Sequence, residues 1–272
     1  MNDTSVLVAI AREIRDAQQQ VRQIPPFSTR VANFDLSAAY RVAQINHRAC
    51  LAAGGVPVGR KIGFTNAAMW ERYQVCEPLW SYLYDATVVF LDGEQGDCSI
   101  GRLCEPKIEP EIVLHFARTP PAGASAAEIL ACVDWVAHGF EIVQSHYPNW
   151  QFAAADVIAD SVLHGTLLLG TPQPVSCLGD DPLSVLQEFS VTLSCNGTAL
   201  EVGQGRNVLG SPVAAVAHLN RVLAAPGAAP LTQGEMVTTG TITTAHAIHV
   251  GETWSTTLSG IALPGLSVTL VE

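Results

Sequence analysis

The chain has 272 residues, 48% hydrophobic and only 14% charged, with a formal net charge of −11. That charge excludes nucleic acid and anionic membranes as partners, since both demand a basic footprint, and no apolar run reaches the roughly 20 residues that cross a bilayer. The length suits one large core, and a mean hydropathy of +0.25 implies apolar surface shared between subunits, so a homo-oligomer is expected.

Ser5 to about Gln23 carries Val6, Ile10, Ile14 and Val21 near helical spacing, and Pro25-Pro26 is expected to end that helix. A second helical pattern runs from Leu36 to Ala53 and meets Gly54-Gly55. Residues 1–57 therefore read as a small helical N-terminal extension and 58–272 as the main domain. From Val58 the texture changes to short strand-like runs: Arg60 to Phe64, Ala86 to Phe90, then a turn at Asp92-Gly93. Glu105 to Phe116 reads as one strand. Ser125-Ala-Ala-Glu128 is a capping box opening a helix to about Val136, followed by a strand over Gly139 to Val143. Asp156 to Ser161 reads as a helical turn and Gly165 to Leu169 as a buried strand. Ser190 to Cys195 and Thr198 to Val202 flank Asn196-Gly197, a hairpin signature. Ser211-Pro212 starts a helix that is expected to stop near Pro226-Gly227, and Met236 to Thr239, Thr253 to Leu258 and Leu266 to Val271 are further strands. Strands dominate without regular βαβ alternation, so the fold class is α+β, a β-rich roll or barrel.

Within the strand at 105–116, Glu109 and Glu111 are two residues apart and point the same way. Paired acids at that spacing repel each other and, if buried, call for a cation between them; a solvated edge strand is the alternative. Glu141 stands in the apolar run Gly139-Phe-Glu-Ile-Val143, where a charge needs a partner. Together the three offer an all-oxygen site suited to Mg²⁺ or Mn²⁺. Lys61 lies in an otherwise apolar strand before Gly63 and is a candidate for binding a carboxylate or enolate, or for acid/base work; a snorkelling lysine is the plainer reading. Asp85, and Asp160 with Ser161, end apolar runs, where turn or cap roles are usual. Gly203 to Gly210 lacks the spacing of a phosphate loop and reads as structural. The seven scattered cysteines show no C-x-x-C, no G-x-S-x-G elbow is present, and no histidine sits in an H-E-x-x-H context. The Met1-Asn2-Asp3 start has no basic n-region, so cytoplasmic placement is expected.

Gly59-Arg-Lys-Ile-Gly63, Pro106-Lys-Ile-Glu-Pro-Glu-Ile112, Gly139-Phe-Glu-Ile-Val143 with Ser145, Val157-Ile-Ala-Asp160, Val208-Leu-Gly-Ser-Pro212 and Thr239-Gly-Thr-Ile-Thr243 resemble, in order, the fumarylacetoacetate hydrolase superfamily. The branch they resemble is that of 2-keto-4-pentenoate hydratases and 4-oxalocrotonate decarboxylases. The resemblance implies a β-rich roll, Mg²⁺ or Mn²⁺ on Glu109, Glu111 and Glu141, and a catalytic Lys61. It implies as substrate a 2-oxo or 2-hydroxydienoate acid from aromatic meta-cleavage. Loss of the remote carboxylate of 2-oxo-3-hexenedioate, or hydration of 2-hydroxypenta-2,4-dienoate, passes through one dienol, so either reading suits one scaffold. Tyr82-Leu-Tyr-Asp85 and Thr241-Ile-Thr-Thr-Ala245 resemble the decarboxylases more closely, which puts Asp85 among catalytic candidates and Thr241 among substrate contacts. His146 and Ser161 replace the family's usual Arg and Asn, and are expected at the substrate with an altered preference. A catalytically silent assembly subunit, in complex with a partner lyase, is the alternative of a different class.

Overall fold

A computed structural model describes residues 3–67, 70–225 and 228–272; the helix stop expected at Pro226-Gly227 lies outside the described residues. The first helix, α1 (Thr4–Gln20), starts where Asp3 accepts a hydrogen bond from the Ser5 N–H at 3.0 Å, and buries Leu7, Ile10, Ala11, Ile14 and Ala17. It ends before the proline pair, at Val21, whose left-handed backbone turns its N–H onto the carbonyls of Ala17 and Gln18. The second, α2 (Leu36–Ala52), is capped by Asp35 and stops before Gly54, which has φ +91°.

Two sheets follow. The larger runs β2 (Leu79–Tyr84), β1 (Pro57–Gly63), β11 (Met236–Thr238), β5 (Lys107–Phe116), β6 (Val133–Val143), β7 (His164–Leu169) and β3 (Val88–Phe90). Two short strands attach to it: β12 (His246–Ala247) pairs with β5 and β8 (Gln173–Pro174) with β6. The smaller sheet runs β10 (Thr198–Gln204), β9 (Ser190–Cys195), β13 (Thr253–Ser259), β14 (Ser267–Val271) and β4 (Gln95–Ser99). The fold is thus an α+β, β-rich roll with a helical N-terminal segment. The Asn196-Gly197 hairpin is present, with both residues at positive φ, as a tight turn between right-twisted strands requires.

One face of the larger sheet packs Ile112, Leu114, Phe116 and Val136 against two helices, α4 (Ala126–Leu130) and α7 (Pro212–Leu223). Farther along, Ile108, Phe140, Ile142 and Leu168 meet Leu193, Trp254, Val268 and Leu270 of the smaller sheet. The helices of residues 1–57 share a core with α5 (Ala154–Ala159), where Leu7, Ile14 and Val42 cluster with Tyr147, Val157 and Ile158. The remaining helices are short: α3 (Trp70–Tyr73) and α6 (Pro182–Glu188). No helix among the described residues is long and apolar enough to cross a membrane.

Local expectations fail at a few places. The capping box at Ser125 is formed, but its helix ends at Leu130 and β6 begins at Val133, so the expected helix to Val136 is a strand. A capping box marks a start and carries no information on length; Val133, Trp135 and Val136 are strand formers that pair with β5. Ala86 to Phe90 opens as a single 3₁₀ turn over Asp85–Thr87 before extending. The strand expected from Glu105 begins at Lys107, because Glu105 adopts φ +45°.

Candidate metal centre and active-site cavity

The centre of the site is set by strand register. In the antiparallel pairing of β5 with β6, Glu109 lies directly opposite Glu141, and Glu111 opposite Gly139. Alternation then puts Glu109, Glu111 and Glu141 on one face, with one oxygen of each within 4.8 Å of the others. Glu111 and Glu141 are fully buried, and Glu109 is half-buried. The same face continues into Val113, Ala137, Leu167, Leu169 and Met236, a dry apolar floor beneath the carboxylates.

The chain's own groups partner part of this cluster. Lys61, on β1, pairs its Nζ with Glu141 Oε1 at 2.9 Å. His164, the first residue of β7, places Nδ1 2.7 Å from the same oxygen and Nε2 2.9 Å from Thr87 Oγ1. Glu111 Oε2 accepts from Thr238 Oγ1 and, at 2.8 Å, from the Gly240 N–H. Gly240 has φ +102°, and a Cβ there would lie 2.1 Å from Thr65 Oγ1, so only glycine brings that N–H to the carboxylate. Glu111 Oε1 and Glu141 Oε2, by contrast, are buried with no hydrogen-bond partner. Native interiors rarely leave carboxylate oxygens unsatisfied.

The electrostatics agree. Burial, with Glu141 and then Glu109 adding repulsion, pushes Glu111 well above the usual carboxylate range. Burial also raises Glu109 to about 7, with Lys61 opposing. Glu141 is shifted the other way: burial alone would raise it, but Lys61 and His164 together hold it below its ordinary value. Burial alone would lower Lys61, yet the three carboxylates outweigh it and the ammonium stays protonated.

These groups open onto a cavity of about 720 Å³ bounded by Lys61, Glu109, Glu111, Thr241 and Asn207, among others. Residues 82–265 match the family described as fumarylacetoacetate (FAA) hydrolase C-terminal. A 2-keto-4-pentenoate hydratase 2 of Dechloromonas aromatica (strain RCB) is 32% identical over 257 residues, covering 93% of this chain and 94% of its own. The chain belongs to the fumarylacetoacetate hydrolase family. Within it, a 4-oxalocrotonate decarboxylase of Pseudomonas putida is 30% identical over 256 residues, 94% of each chain. The solved structure of 4-oxalocrotonate decarboxylase from Pseudomonas putida G7, complexed with magnesium and adipate, matches 100% of this chain and 99% of that one. Its TM-score is 0.90 at 26% identity.

Three carboxylates, two of them with an unpartnered buried oxygen, form a hard, oxygen-only donor set that fits a divalent cation such as Mg²⁺. Thr241 lines the cavity, although its hydroxyl is already donated to the Thr243 carbonyl at 3.0 Å. Asp85 is not brought here: it is exposed at the far end of β2, where its Oδ1 accepts from the Val56 N–H at 3.2 Å and it serves as a turn anchor. His146 is buried away from the cavity, bonded through Nδ1 to Asp160 Oδ2 at 2.8 Å, while Gln18 of α1 donates to Asp160 Oδ1 at 3.0 Å. Ser161, at φ +54°, accepts from Ser81 Oγ through its carbonyl at 2.9 Å and does not line this cavity. His146 thus joins core contacts in this chain, while Ser161 lines a second cavity with Ser81 and His164. The Gly203–Gly210 loop is structural as expected, yet its Asn207 reaches the wall by donating to the Ile242 carbonyl at 3.0 Å.

His164, Thr238 and Gly240 are the supporting residues that the sequence reading missed. The signal for His164 was available: a lone polar ring at the head of His164-Gly-Thr-Leu-Leu-Leu169, the kind of residue that a buried carboxylate needs beside it.

Proposed function

We propose that this protein is a Mg²⁺-dependent lyase acting on a 2-oxo or 2-hydroxydienoate acid, of the 4-oxalocrotonate decarboxylase type, with Mn²⁺ an acceptable substitute. The observation that carries the reading is the pair of buried, unpartnered oxygens on Glu111 and Glu141 beside a protonated Lys61. Glu109, Glu111 and Glu141 would hold the cation, which would supply Lewis-acid polarisation to a 2-oxo acid. Lys61 contributes a fixed positive charge and N–H donors at the cavity floor, where negative charge that develops on a substrate oxygen is stabilised in a low dielectric. Because its ammonium is held protonated, it acts as a donor and electrostatic anchor and not as a resting base. The apolar floor of Val113, Leu167 and Met236 excludes water from the same place. His164 and Thr238 hold Glu141 and Glu111 in position.

Structural agreement with the decarboxylase over the whole chain supports decarboxylation. Hydration of 2-hydroxypenta-2,4-dienoate is the second reading, favoured by the 32% identity to a named hydratase. The complete set of glutamates with Lys61 supports an active enzyme over a silent subunit. Residues 58–272 form the catalytic unit in this reading, residues 1–57 a buttress, and the apolar composition supports a homo-oligomer.

The test is incubation of the purified protein with Mg²⁺ and either substrate, following ultraviolet absorbance and CO₂. Release of CO₂ from 2-oxo-3-hexenedioate is expected, lost on chelation and in Glu109→Gln. Turnover of neither acid overturns the lyase reading, and hydration without CO₂ replaces decarboxylase with hydratase.

A further inference from the structure

Lys107 stands on β5 one two-residue repeat before Glu109, so its side chain shares the face that looks into the cavity. Adjacent same-face positions along a strand are about 6.6 Å apart, which separates Lys107 from the carboxylate cluster by a span suited to a short extended acid. Its Nζ lies 3.9 Å above the Trp150 ring centroid. No carboxylate among the described residues lies within ion-pair distance of it. Glu109 and then Glu105 are the acids whose charge reaches it, at longer range, and Glu105 Oε1 accepts from the Asn149 N–H at 3.2 Å.

The platform under Lys107 is built with some strain. Trp150 is fixed by its indole N–H donating to the Glu105 carbonyl at 3.1 Å. Glu105, Asn149 and Trp150 all hold positive φ, at 45°, 57° and 56°, without being glycine. Such conformations persist where the surroundings over-determine them, and they cluster at ligand clamps. Here they keep an aromatic face under a half-buried ammonium, a contact that orients the cation but leaves its N–H groups free for an anion.

We propose that Lys107, held on Trp150, is the specificity-determining residue that selects a substrate bearing a second carboxylate, remote from its 2-oxo acid end. This rests on the lyase reading above and adds the choice between dicarboxylic and monocarboxylic acids. An acid with one carboxylate spends it at the Glu109, Glu111 and Glu141 end and leaves Lys107 unpaired. A diacid satisfies both ends. Because the bond is made with the intact carboxylate, Lys107 governs binding selectivity, and its loss is expected to raise KM for the diacid. Arg72 also borders the cavity, but it is exposed and lies over Tyr73 at 5.5 Å, so it is the competing candidate.

The experiment is calorimetric titration of the Mg²⁺-loaded protein with adipate and with hexanoate, for wild type, Lys107→Gln, Lys107→Arg and Arg72→Gln. Wild type is expected to prefer adipate by about tenfold or more, as a charge-assisted bond allows. In the Mg²⁺-saturated protein Lys107→Gln is expected to lose that preference through weaker adipate binding, and Lys107→Arg to retain it. An adipate preference that survives in Lys107→Gln, that is absent from wild type, or that disappears in Arg72→Gln instead overturns the proposal. Failure of the underlying reading shows separately, as absence of Mg²⁺-dependent turnover by wild type, whatever the binding ratio.

Discussion

Glu109 and Glu141 are register partners across β5 and β6, and their neighbour Glu111 faces Gly139, which has no side chain to fill the gap. The three carboxylates thereby converge over one face of the sheet, which continues as hydrocarbon. That juxtaposition is unfavourable for the protein alone and favourable for a protein with a cation.

Glu111→Gln separates the two states. The glutamine carbonyl retains the bonds from Thr238 and Gly240, and its amide gains a donor toward the carboxylates, so the metal-free protein is expected to be as stable as wild type or more so. The cation loses a charged ligand. Thermal unfolding with and without Mg²⁺ should show a metal-dependent rise in Tm for wild type that is absent from the variant, together with loss of turnover. A full Mg²⁺ shift in Glu111→Gln would remove Glu111 from the site.

Lys61→Met leaves Glu141 buried beside Glu109 and Glu111 with His164 as its remaining ion-pair partner. Breaking a buried pair by deleting one partner costs about 3 kcal/mol or more. The cost has a pH signature. In wild type the Glu141 carboxyl is held below its ordinary value, so it stabilises the fold above pH 4.5 and that contribution is lost on acidification. Without Lys61, burial prevails and Glu141 is destabilising when charged. Denaturant unfolding should therefore show a larger deficit at pH 8 than at pH 5; a deficit independent of pH would argue that Lys61 contributes packing alone.

How far these groups could be read from the sequence depends on the range of the interaction. Glu109 and Glu111 declared themselves through strand alternation, and Glu141 through a charge inside Gly139-Phe-Glu-Ile-Val143, both local signals. That Glu109 faces Glu141 is a register fact set by the pairing of whole strands, to which local periodicity is blind. The apolar run Gly165 to Leu169 predicts a strand one residue shorter than β7, whose first residue is His164 beside Glu141. His146 and Ser161 were expected at the substrate by resemblance, but their positions depend on how α1 and α5 pack. Here Asp160, which bonds both Gln18 and His146, draws that segment into the helical core.

Metal binding should release protons. Glu109 titrates near 7 and Glu111 well above its ordinary range, so at neutral pH the metal-free site carries protons that a cation must displace. For the metal-free fold the sign runs the other way. Both groups bind a proton more readily folded than unfolded, so they impose no penalty below pH 4.5 and a growing one above it, up to about 7 for Glu109. Mg²⁺ affinity should accordingly fall by about tenfold per pH unit below 7 for each proton displaced. Calorimetry in buffers of different ionisation enthalpy would count those protons; a buffer-independent heat would show that the site is already ionised.

Beneath the site, His138 supplies an acid limit to stability. Its Nδ1–H donates to the Glu111 carbonyl at 2.9 Å, which leaves Nε2 to accept from Thr256 Oγ1 at 2.8 Å, and Thr256 in turn accepts from the Leu266 N–H at 3.0 Å. The ring is fully used while neutral, and burial lowers it from 6.5 to about 4. The unfolded chain takes up this proton first as pH falls. Stability should then decline from pH 6.5 toward 4 by about 1.4 kcal/mol per pH unit from this group alone. His138→Gln, which can keep one donor and one acceptor, should flatten that part of the pH profile while lowering stability at pH 8 through poorer fit. Parallel wild-type and variant profiles between pH 6.5 and 4 would show that His138 is not the group responsible.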